Sequence, residues 1–173
     1  MKILIATLMS AFILIATNAQ AKECKSNPIN FRINPFSIVA DSVAGGIDVG
    51  LSSKLSLGVD AGYSYNTELF TPYKGKAYSG GLSLTYYANS MREDSFVASA
   101  GVSKSFVKLV NDSNTFTARG TTGDVKAGYR WLWANGFNTK LAAGIGQTKF
   151  SNSADINGRG LAPVAELSFG YQL

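Results

Sequence analysis

From residue 55 to residue 66 the chain reads LSLGVDAGYSYN. Leu55, Leu57, Val59, Ala61, Tyr63 and Tyr65 alternate with Ser56, Gly58, Asp60, Gly62, Ser64 and Asn66. A period of two held this long is a strand with one apolar face and one small-polar face. The same alternation runs through 45–51, 77–88, 95–109, 119–134, 137–150 and 160–173, and weakly through 29–40, where Pro35 interrupts it. That makes eight strands. Past residue 21 no apolar stretch reaches the roughly 20 residues that a membrane helix needs. An alternating chain that meets lipid must therefore close its sheet, because only closure satisfies every backbone group there. The expected fold is all-β: an eight-stranded antiparallel up-and-down transmembrane β-barrel over 29–173.

The amino terminus sets the compartment. Lys2 is the only charge before Lys22, and ILIATLMSAFILIAT leads to Asn18-Ala19-Gln20-Ala21. A basic start, a short apolar run and an Ala-x-Ala end predict a signal peptide over 1–21, cleaved after Ala21. Residues 22–28 then form a short periplasmic lead-in. Cys24 is the single cysteine, so no internal disulfide can form, and the preceding Ala21-Lys22-Glu23 is no lipid-attachment box. The net charge of +5 is spread without a Lys/Arg run, which argues against nucleic acid as a partner. Charged residues make up only 16% of the chain, sparse for a surface that meets water all round.

After a sharp connection near 41–44, the links alternate in length. Short turns at 52–54, 89–94 and 134–136 would be periplasmic, and loops at 67–76, 110–118 and 151–159 would face outside, the phase of outer-membrane barrels. Asn135-Gly136 is a two-residue hairpin signal. Aromatics gather toward strand ends as girdles would: Tyr63, Tyr65 and Tyr78 above, and Tyr86, Trp131, Trp133, Phe137, Phe169 and Tyr171 below. Lys104 breaks the apolar face of its strand. It either snorkels or marks a bulge that turns Val107 and Leu109 outward. A soluble lipocalin-like barrel would alternate too, but the polar faces here are rich in Gly, Ser and Ala, as in a narrow packed interior.

The signal segment, the eight alternating strands and the terminal LSFGYQL resemble the small outer-membrane β-barrels of Gram-negative bacteria, the OmpA/OmpX-like superfamily. Asn34-Pro35 through GIDVGLSSKLSLGVDAGY, with the later GYRWLW, is similar to an uncharacterised family within it. Leu173 stands where the usual insertion signal ends in Phe, and no peptidoglycan-binding domain is expected after the barrel. The resemblance implies bacterial outer-membrane localisation, insertion by the barrel-assembly machinery, and contact with outer-membrane lipids and lipopolysaccharide.

Facing by parity puts Arg32, Asp48, Asp60, Asp124, Lys126, Arg130, Lys140 and Glu166 in the lumen. An eight-stranded interior is just wide enough for side chains to fill, so these charges should pair and plug it, Asp60 with Lys126 or Arg130. The alternative is a gated path for small solutes. Lys74, Lys76, Lys108, Arg119, Lys149 and Arg159, with Phe70, Tyr73 and Phe116 among them and Glu68, Asp112 and Asp155 opposing them, would form a basic rim in the outer loops. Such a rim suits lipopolysaccharide phosphates or adhesion. The barrel enzymes of this architecture rely on a catalytic His, and this chain has none. Neither a catalytic site nor a metal or cofactor site is expected. The expected role is that of a non-enzymatic, monomeric outer-membrane protein for envelope integrity or surface interaction, with a narrow channel and a soluble periplasmic binding barrel as alternatives.

Overall fold

The structure, a computed structural model, describes residues 28–35, 42–65, 74–111, 114–152 and 157–173. The expected signal peptide, Cys24, residues 36–40 of the first expected strand, Glu68, Phe70, Tyr73, Asp112 and Asp155 lie outside the described residues. Eight strands run β1 Ile29–Ile33, β2 Ser42–Gly50, β3 Leu55–Ser64, β4 Lys74–Tyr87, β5 Ser95–Asn111, β6 Asn114–Leu132, β7 Phe137–Asn152 and β8 Asn157–Gln172. Each pairs antiparallel with the next. β1 also pairs with β8, Phe31 opposite Tyr171, so the sheet closes into an up-and-down barrel.

Alternation decides which side of the wall each residue takes. Along β3 and β4, Leu57, Val59, Leu82 and Leu84 are exposed on the outside, while Ser56 and Thr85 are buried inside. The result is an inverted protein. Val59, Leu82, Val125 and Ile145 are each more than half exposed, whereas Asn30, Asp48, Arg130, Asn138 and Lys140 are buried. Apolar side chains outside and ionic ones inside are stable only where the surroundings are apolar and the interior pairs its charges.

Several boundaries differ from expectation. The loop expected at 110–118 is mostly strand: β5 and β6 stay paired up to Asn111 opposite Asn114. The loop expected at 151–159 narrows likewise, because β7 runs to Asn152 and β8 starts at Asn157. Residues 42–44, expected in a connection, begin β2, and β1 ends at Ile33, just before Asn34 and Pro35. Polar residues on both faces look like loop in sequence, but the backbone pairing of β5 with β6 continues through them. Lys104 needs no bulge. Pairing is continuous through Gly80 and Thr121, Lys104 stays outside, and Val107 keeps the inner parity.

The lower turns are tight. The Asn135-Gly136 connection closes between Trp133 and Phe137, making a three-residue loop rather than the expected two-residue one. Gly136 has φ of 85°, a left-handed conformation that favours glycine, and the Asn135 side chain accepts from the Phe137 amide at 3.1 Å.

Candidate functional site

The lumen is organised by two copies of one short pattern, Gly46-Ile47-Asp48 on β2 and Gly58-Val59-Asp60 on β3. Antiparallel register sets Gly46 opposite Asp60 and Asp48 opposite Gly58. Each carboxylate thus faces a residue without a side chain. A Cβ on Gly46 would lie 2.6 Å from Asp60 Oδ1 and 3.2 Å from an Arg32 guanidinium nitrogen. Through that gap Arg32 on β1 reaches Asp60, two strands away, at 3.0 Å. It also meets Asp48 through Nε at 2.6 Å and Nη2 at 2.8 Å.

Glu166 on β8 ties the opposite side together. Its carboxylate lies 2.5 Å from Lys140 Nζ on β7, 2.9 Å from Lys126 Nζ on β6 and 3.4 Å from Arg32 Nη1 across the β1–β8 seam. Lys126 also contacts Asp124 at 3.3 Å. Seven of the eight sequence-expected lumen charges therefore form one connected cluster. The pairing differs from expectation for Asp60, whose partner is Arg32 rather than Lys126 or Arg130. Ser83 adds a hydroxyl donor to Asp60 at 3.2 Å.

Arg130 is the eighth, and it lies apart at the lower mouth. Its Nη2 donates to the Met91 and Glu93 carbonyls, and Nη1 donates to Gln172 Oε1 at 3.0 Å. Its guanidinium sits 4.8 Å over the Tyr87 ring. The turn between β4 and β5 is thereby drawn under the barrel. Met91 is fully buried with Tyr87 and Val97, and its amide donates to the Ser53 carbonyl at 2.6 Å. Asn30 and Asn138, hydrogen-bonded to each other at 2.7 Å, complete this floor. Both asparagines alternate inward in the sequence, but they carry no charge and so were not among the expected lumen residues. Above the floor, a cavity of about 250 Å³ is lined by Arg32, Asp60, Lys126, Lys140 and Glu166 and by small residues including Ser79, Ser83 and Ser103. Among the described residues, no group of three His, Cys, Asp or Glu side chains could hold a metal.

The expected basic rim lies on strands rather than in loops. Lys76, Lys108, Arg119, Lys149 and Arg159 are exposed at the upper ends of β4 to β8. Lys74 opens β4, paired with Val110. Lys76 is opposite Lys108, and Lys149 is opposite Arg159. The Arg119 guanidinium lies 5.8 Å over the Phe106 ring. The aromatic belts also extend further than expected. Tyr63 stacks on Tyr78 at 5.0 Å above, and Phe96, Tyr129 and Trp131 run edge to face below. Tyr171 stands opposite Phe31 and Phe137, as expected for the lower end, but is buried rather than exposed.

The architecture has solved relatives. The N-terminal β-barrel domain of Pseudomonas aeruginosa OprF is similar at 16% identity and a TM-score of 0.58, over 86% of this chain and 98% of that one. Neisserial surface protein A (NspA) is similar at 14% identity and a TM-score of 0.53, over 84% of this chain and 94% of that one. No curated protein matches the sequence. A family model described as "Protein of unknown function (DUF3575)" matches residues 6–155, and the chain belongs to that family.

Proposed function

We propose that this protein is an integral outer-membrane β-barrel that does not conduct, and that it serves envelope integrity or surface interaction rather than catalysis. The observation that carries the reading is the inverted wall: a belt of exposed Val, Leu, Ile and Phe between two aromatic rings, around a lumen crossed by paired charges. Such a wall in water would aggregate, and in lipid it is the stable surface. The similarity to two barrel structures supports the fold on which this rests. The signal segment fits export, with insertion by the barrel-assembly machinery and function as a monomer. The absence of His from the sequence and the tight pairing of Glu166 with Lys126 and Lys140 favour a non-enzymatic role.

Fractionation tests this reading. The mature protein should sediment with outer membranes, resist carbonate extraction, and migrate faster on gels unheated than boiled. Recovery in the soluble periplasm without heat-modifiable migration would support the lipocalin-like alternative instead.

A further inference from the structure

The outward face carries cations in one arc and no carboxylate among the described residues. Asp48, Asp60, Asp124 and Glu166 point into the lumen, and Glu93 and Asp94 belong to the lower turn. The height of the cations follows from the lower aromatic ring. A tilted strand crosses an apolar band of roughly 25 Å in about ten residues. Counting about that far up each strand from its lower aromatic, Tyr86 leads to Lys76 on β4, Tyr129 to Arg119 on β6, and Phe169 to Arg159 on β8. On β5, Phe96 leads to Phe106, which Lys104 and Lys108 flank. On β7, Phe137 leads to Gln147, with Lys149 the next outward residue above. Five adjoining strands thus set a cation at, or within two residues of, the same apolar boundary. At that level β3 presents Tyr63 instead, next to Tyr65 and against Tyr78.

A cation at the edge of hydrocarbon keeps its stem in the apolar layer and its head among lipid headgroups. Six of them on one arc, with like charges in direct register at Lys76–Lys108 and Lys149–Arg159, repel one another unless anions lie between them. The arc spans four strand spacings, on the order of 20 Å, room for more than one multiply charged group. Its residues offer forked and point donors of the kind that phosphates bind.

We infer that the outer wall of β4 to β8 is a binding face for the phosphorylated glycolipid of the outer leaflet, held through its phosphates by Lys104, Arg119, Lys149 and Arg159. The inference rests on the outer-membrane reading, because that orientation puts the arc in the leaflet that lipopolysaccharide occupies. It goes further in fixing the contact on the strands' lipid-facing side, with Lys104 part of it.

The test is a binding titration on full-length refolded barrel in detergent micelles, with folding checked by heat-modifiable migration. The probes are lipopolysaccharide, the same material after enzymatic dephosphorylation, and phosphatidylglycerol. The wild type should bind lipopolysaccharide at least about tenfold more tightly than either other probe, and K104Q/R119Q/K149Q/R159Q should lose at least about tenfold. K54Q, on the exposed lower turn, should bind as the wild type does. Equal wild-type affinity for dephosphorylated material, equal affinity for phosphatidylglycerol, or undiminished binding by the folded fourfold variant would each overturn the inference. Should the fourfold variant not fold, K149Q/R159Q and the dephosphorylation comparison on wild type decide the matter. A wild type without heat-modifiable migration would instead count against the membrane barrel itself.

Discussion

Glu166 is the residue on which most of the lumen cluster depends, since it contacts three cations at once, Arg32, Lys126 and Lys140. Removing one member of a buried ionic cluster leaves the others uncompensated, at a cost of about 3–5 kcal/mol. E166Q should therefore lower the unfolding free energy measured in urea by that order, and an unchanged value would mean that the Glu166 contacts contribute nothing to stability. The facing of these charges was legible in the sequence, because side-chain parity in a strand needs no tertiary information. The pairing of Asp60 was not. Arg32 reaches it across β2 only because Gly46 leaves the space, and because the closing of β1 against β8 brings β1 to that position. The repeated Gly-x-Asp of β2 and β3 was the available signal: two such patterns on consecutive antiparallel strands can set each carboxylate opposite a glycine. Arg130 shows the limit of parity, which sorts faces but carries no height along the barrel axis.

Among the elements, the turn between β4 and β5 departs most from an ordinary solvent-exposed link. It reads in sequence as a short charged turn, and Met91 within it gives no periodicity to assign. The structure makes it the floor of the barrel, pinned by Arg130 from β6 and by the Ser53 carbonyl. In R130Q the turn should detach from that floor while the barrel still closes. The Met91 amide should then exchange with deuterated solvent roughly a hundredfold faster than in wild type, as expected for loss of charged hydrogen bonds of about 2–3 kcal/mol. Exchange as slow as in wild type would mean that Tyr87, Val97 and Ser53 hold the turn without the arginine. Strand number and order were legible because alternation persists wherever one face is apolar and exposed and the other lines the lumen. The upper ends of β5 to β8 were not legible, because Thr115, Thr117 and Arg119 face the same side as Val125 yet are polar, so that the apolar–polar alternation ends there while the pairing goes on.

At the scale of the whole molecule, three features act together: an apolar wall, a lumen cross-linked by Arg32 and Glu166, and a lower mouth closed by the turn at 88–94. The cavity of about 250 Å³ lies above that floor and is bounded by charges already paired with one another. An ion crossing the barrel would have to break these pairs without the compensation of bulk water, which is costly at low dielectric. Alternation alone does not separate a plugged barrel from a narrow channel; the difference lies in the reach of Arg32 and in the seating of Met91. Planar-bilayer recording of refolded, heat-modifiable protein tests this most directly. Membranes holding the wild type should stay at baseline, without reproducible unitary steps. Regular, large conductance steps from the wild type would contradict the plugged barrel and establish the lumen as a path for small solutes.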